Sequence, residues 1–105
     1  MQQPRTDRGF GNPPEMKAPS VSLLTDTQWQ YLQRRFRITP RELEIARLIC
    51  RGLSNDDVAS SLDITTGTVK VHLRNLYRKT WVENKILMLL RFIETSSHLF
   101  PPARS

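Results

Sequence analysis

The chain has 105 residues, 16 of them Lys or Arg and 10 Asp or Glu, so it carries a formal charge of +6 and has room for one small domain with a tail at either end. Its longest apolar run, ILMLL at 86–90, is far too short to cross a bilayer, no apolar stretch follows a basic start, and the lone Cys50 excludes an internal disulfide or a thiolate-rich metal cage. These limits predict a cytoplasmic protein without cofactor or metal, kept off membranes, whose basic balance favours nucleic acid.

Residues 1–20, MQQPRTDRGFGNPPEMKAPS, hold four of the seven prolines and almost no large apolar residue, which predicts a disordered arm. A flexible tail is expected at 97–105, where PPARS ends the chain.

The segment 21–37 predicts an additional helix over about 25–36. Thr25 and Gln28 have capping-box spacing, and Trp29, Leu32 and Phe36 follow at helical intervals. In TPRE, Thr39 caps, Pro40 fits the first helical position and Glu42 completes a second box, with Gly52 ending the helix. Along that helix Ile45, Leu48, Ile49 and Gly52 form the expected core stripe and Leu43, Ala46 and Cys50 a second apolar one, on which the first helix is expected to dock. Docking of the first helix on another protein or on a second copy is the alternative. Cys50 itself reads as a small buried hydrophobe.

Ser54 and Asp57 open a short third helix with Val58, Ala59 and Leu62 inward. After a turn at Asp63, Thr65 caps a fourth helix at about 66–79, and a fifth is expected at about 83–95. No stretch alternates as a strand would, so the fold class is all-α.

The fourth helix has a distinctive charge pattern. No acidic residue lies between Ile64 and Val82, whereas Lys70, Arg74, Arg78 and Lys79 do; Asp56, Asp57 and Asp63 come just before. Winding residues 66–80 at 100° each places Val69, Leu73, Leu76 and Thr80 on a core side. Opposite fall Gly67, Lys70, Val71, Arg74 and Arg78, while Thr68, His72, Asn75 and Lys79 line one flank. A basic stripe around one valine suits a major groove, since Lys or Arg bonds guanine O6 and N7 and Val touches a thymine methyl. Thr65, Thr66 and Thr68 surround a helix N-terminus suited to a phosphate. His72 is expected to pack locally, because no second ligand stands at metal spacing. Short helix, turn and basic helix make a helix-turn-helix.

The stretch ITPRELEIARLICRGLSNDDVASSLDITTGTVKVHLRNLYRK resembles the LuxR/GerE-type DNA-binding domain of bacterial regulators, over about residues 38–95. The resemblance implies a four-helix helix-turn-helix domain at 38–96 that binds duplex DNA as a sequence-specific transcriptional regulator, the helix at 66–79 entering the major groove and the last helix pairing two copies. It makes Lys70, Val71 and Arg74 the base-reading residues and Thr66, Thr68, Asn75, Arg78 and Lys79 backbone contacts, with Thr65 joining them from the cap. Thr80-Trp81 stands where the family usually has Leu-Gly, and Asp63 where Gly is common. A receiver or ligand-binding domain does not fit ahead of the unit within this length, so control is expected to lie elsewhere.

In the last helix Ile86, Leu89, Leu90 and Ile93 read as a stripe for the domain's own core. Leu87, Met88, Arg91 and Phe92 read as the dimer surface. The second reading is an adaptor that pairs its exposed helices with another regulator. An enzyme is not expected, because no nucleophile, base and orienting group come into workable proximity and no glycine-rich phosphate loop is present.

Overall fold

The computed structural model describes residues 23–97. The arm expected at 1–20 and the tail beyond residue 97 lie outside the described residues. Among those described, the chain forms five helices and no strand: α1 (Asp26–Phe36), α2 (Pro40–Ile49), α3 (Asn55–Leu62), α4 (Thr66–Thr80) and α5 (Lys85–Ser96).

Each helix starts where a side chain takes up one of the amide groups that a helix cannot satisfy itself. Thr25, Thr39 and Ser54 accept from the backbone N–H three residues on, and Gln28, Glu42 and Asp57 return the bond to the cap residue. Thr65 and Asn84 cap α4 and α5 by the first of these bonds alone. Each such cap contributes about 1 kcal/mol.

Helix exits repeat one device. Arg37, Gly52, Asp63 and Trp81 all have positive φ, and each is followed by an apolar residue whose N–H reaches back five positions. These bonds run from Ile38 to the Gln33 carbonyl, Leu53 to Leu48, Ile64 to Ala59 and Val82 to Tyr77, at 2.9–3.3 Å. The pattern is the Schellman closure, in which the apolar follower packs back on the domain. All four followers join or flank the core. Only one of the four left-handed positions is a glycine; at Arg37, Asp63 and Trp81 the side chain costs roughly 1–2 kcal/mol.

The buried centre collects Leu32, Ile45, Val58, Val69, Leu76, Met88 and Phe92, each without measurable exposure. Helix α4 packs against α2, α3 and α5, so it is the hub of the domain, and α1 lies chiefly against α5. The ring of Phe92 stands edge-on to Trp29, with centroids 5.5 Å apart and planes at 70°, and tilts against Phe36 at 6.1 Å. From α2, Arg47 reaches over the Trp29 ring at 5.7 Å and pairs with Asp26 at 2.8 Å.

Two expectations change here. The first helix does not rest mainly on the Leu43, Ala46 and Cys50 stripe, nor does it keep Trp29, Leu32 and Phe36 for another protein; these side chains close over α5 and belong to the core. Consequently α5 is turned about its axis relative to the sequence reading. Met88 and Phe92, expected at a dimer surface, are completely buried, while Ile86, Leu90 and Ile93 from the expected core stripe are exposed. The physical reason is the aromatic pairing: Phe92 gains two ring contacts inside that no outward orientation offers.

Truncation of Trp29 therefore opens a cavity beside Phe92. Trp29→Ala is expected to lower unfolding free energy by about 3–5 kcal/mol in chemical denaturation. Undiminished stability would contradict the integration of α1 into this core.

Candidate nucleic-acid interface

Helices α3 and α4 meet through a turn of three residues, Asp63, Ile64 and Thr65. Asp63 takes φ 57° and ψ 47°, which reverses the chain, and Ile64 turns inward as the closing apolar residue. The α4 cap is built from threonines. Thr65 Oγ1 accepts the Thr68 N–H at 3.1 Å, and the two hydroxyls share a further bond at 3.0 Å. Thr66 donates its hydroxyl to Asp56 at 2.9 Å, tying the start of α4 to the start of α3. The first-turn amides of Thr66 and Gly67 have no acceptor within the helix and remain available to an anion.

Along α4 the two sides separate as winding predicts. Val69, Leu73, Leu76 and Thr80 are buried, and the Thr80 hydroxyl bonds to the Leu76 carbonyl at 2.8 Å. Lys70, Val71, Arg74 and Arg78 are exposed together on the opposite side, beside exposed Gly67 and Thr68. Arg78 Nη2 donates to Asn75 Oδ1 at 2.9 Å, so those two side chains act as one polar unit at the flank. His72 is half-buried, and its inward Nδ1 has no hydrogen-bond partner.

Lys79 departs from expectation. Its ammonium does not stand free for a phosphate but donates to Glu42 Oε1 at 2.6 Å and to the Arg37 carbonyl at 2.8 Å. Glu42 is 4% exposed and also accepts the Thr39 N–H at 3.0 Å. Burial on its own would raise the Glu42 carboxyl, yet the Lys79 ammonium and the Thr39 bonds outweigh it and hold the group below the ordinary glutamate value. Lys79 is thus a clasp between the last turn of α4, the first turn of α2 and the exit of α1. Sequence reasoning recognised Glu42 only as half of a capping box, because the partner lies 37 residues away.

The expected dimer residues divide. Leu87 is exposed; Arg91 is half-buried and donates from Nε to the Thr80 carbonyl at 3.1 Å and from Nη1 to Glu94 at 3.4 Å. Cys50 is half-buried, and burial raises its thiol pKa to about 12, which leaves almost no thiolate for chemistry at neutral pH. No helix among the described residues is long and apolar enough to cross a membrane.

A helix-turn-helix whose second helix turns Lys70, Arg74 and Arg78 to solvent around Val71, with no carboxylate among them, has the architecture of a nucleic-acid-binding module. The family model for bacterial regulatory proteins of the luxR family matches residues 37–89. The chain belongs to that family. It is 43% identical over 63 residues to the HTH-type transcriptional regulator MalT of Yersinia pestis (strain Pestoides F), a match covering 60% of this chain and 7% of that protein. To the nitrate/nitrite response regulator protein NarP of Escherichia coli (strain K12) it is 42% identical over 57 residues, covering 54% of this chain and 26% of NarP. The chain therefore spans only a small part of the length of these relatives. No solved structure matches it. Helix α1 lies outside the matched residues.

The clasp has a pH signature. A carboxyl whose folded pKa lies below its unfolded value contributes stability above that unfolded value, near 4.5, and the contribution is lost as pH falls through the folded value. Glu42→Gln keeps the side-chain acceptor of the capping box and removes the charge. It is expected to cost about 1.5–3 kcal/mol at pH 7 and to flatten the acid limb of the stability curve. An acid limb unchanged in the variant would contradict this assignment.

Proposed function

We propose that the chain binds duplex DNA as a homodimer on two half-sites, with α4 of each copy in the major groove. Lys70 and Arg74 hydrogen-bond base edges, guanine O6 and N7 being the acceptors that fit them, and Val71 meets a thymine methyl. Thr65, Thr66, Thr68, Asn75 and Arg78 hold the phosphate backbone, with the first-turn amides of α4. The observation that carries this reading is the outer face of α4, where exposed Lys70, Arg74 and Arg78 surround exposed Val71 without a carboxylate among them.

Pairing is assigned to the outer face of α5. Ile86 is 70% exposed, Leu90 53%, and Leu87 and Ile93 stand beside them, an apolar strip that the domain itself leaves uncovered. Two copies joined there place their α4 helices in successive major grooves, about one turn or ~34 Å apart. The same strip is what an adaptor would use to hold another regulator, and duplex binding by the purified chain separates the two readings.

The division of labour on α4 is measurable by fluorescence anisotropy on sequence-selected and random duplexes across a salt series. Lys70→Ala and Arg74→Ala are expected to relax base preference, each base contact being worth about 1–3 kcal/mol. Arg78→Ala is expected to weaken all sequences alike and to reduce the salt slope by about 1, whereas Lys79→Ala leaves that slope unchanged because its ammonium is spent inside the domain. Equal losses on both duplex sets for Lys70→Ala and Arg74→Ala would contradict base reading. A reduced slope for Lys79→Ala would return that residue to the phosphate.

A further inference from the structure

We propose that Trp81 anchors the contact between two copies of this chain, its indole packing against the partner's α5 over the groove formed beside it by Leu87 and Leu90. The inference rests on the α5 pairing above and names the residue that seals it. Trp81 is 77% exposed, more than any other large apolar side chain among the described residues, and it occupies a left-handed position with φ 58°. A glycine there would relieve both the backbone strain and the exposed apolar surface. The core gains nothing from the indole, since the apolar residue that closes this turn against the domain is Val82, not Trp81.

The indole forms one wall of a groove of about 570 Å³, continued by Leu87 and Leu90 and rimmed by Glu83, Arg91 and Glu94. This rim decides the occupant. Two carboxylates beside an apolar wall repel a phosphate, in contrast to the wholly basic face of α4. Acid and base on one patch can meet their counterparts across a two-fold axis, where the same surface faces itself. The groove also runs into the exposed strip of Ile86, Leu90 and Ile93, so covering it extends the same interface rather than opening a second one. Tryptophan is among the residues that most often dominate such contacts, because it removes a large area from water and has few rotors to order.

The test compares the full chain with Trp81→Gly and Leu90→Lys by sedimentation equilibrium and by thermal unfolding at a concentration where the chain is monomeric. The proposal expects Trp81→Gly to raise the monomer's unfolding temperature while weakening the dimer by about tenfold or more. Leu90→Lys is expected to abolish the dimer. A dimer unchanged in Trp81→Gly but lost in Leu90→Lys overturns the role of Trp81 and leaves α5 pairing intact. A dimer that survives both, or a wild-type chain that stays monomeric with and without duplex DNA, overturns both readings.

Discussion

The pose of α4 depends on the clasp at Lys79. One ammonium, 2.6 Å from Glu42 and 2.8 Å from the Arg37 carbonyl, joins the last turn of α4 to the entry of α2 and the exit of α1. A pair with one partner almost wholly buried gains little net free energy over an apolar contact of the same shape, because desolvation offsets the attraction. Its effect is on geometry: the donor must find two acceptors at fixed positions, and only one placement of α4 supplies them. At the other end the Thr66 hydroxyl meets Asp56 and sets the start of α4 against α3. Between these ties Val69, Leu73 and Leu76 fill the core, and the opposite side of the helix is presented in a fixed orientation. The base-reading role proposed for α4 would need this constraint, since such contacts reward positions correct to a fraction of an ångström.

The arrangement also separates two kinds of cation. Lys79 belongs to the protein, and Glu42 neutralises it. Lys70 and Arg74 have no carboxylate on their face and keep their charge for solvent or ligand, while Arg78 leans on neutral Asn75. Asp56 stands close to the α4 entry, where it accepts from the Thr66 hydroxyl. The basic charge on the outer face of α4 is therefore smaller than the count of lysines and arginines in the helix, and it runs from Lys70 through Arg74 to Arg78.

Much of this was legible in the chain because the relevant interactions are local. Capping pairs such as Thr39 with Glu42 act across three residues, so sequence places the starts of α1 to α4 to within a residue, whereas α5, capped by Asn84 without a returning partner, begins at Lys85 rather than at the expected residue 83. The buried and exposed sides of α4 also follow from winding alone, because its apolar residues fall on one side only. Helix α5 was misread for the opposite reason: apolar residues surround it, and periodicity cannot choose between Ile86-Leu90-Ile93 and Met88-Phe92. That choice was made by Trp29 and Phe36, roughly sixty residues upstream, which receive Phe92 between them. The role of Lys79 was hidden in the same way, by a partner 37 residues away. The exits at Arg37 and Trp81 were obscure because a left-handed position announces itself by glycine, and here the signal was the apolar residue that follows.

In the proposed function the outer face of α4 enters the major groove. Methylation protection on a selected duplex tests it directly, because the reagent marks guanine N7 in the major groove and adenine N3 in the minor groove. Protected guanine N7 positions are expected in two clusters one helical turn apart, ~34 Å along the axis. Protection confined to adenine N3, or a bound duplex with no protected guanine, would contradict it.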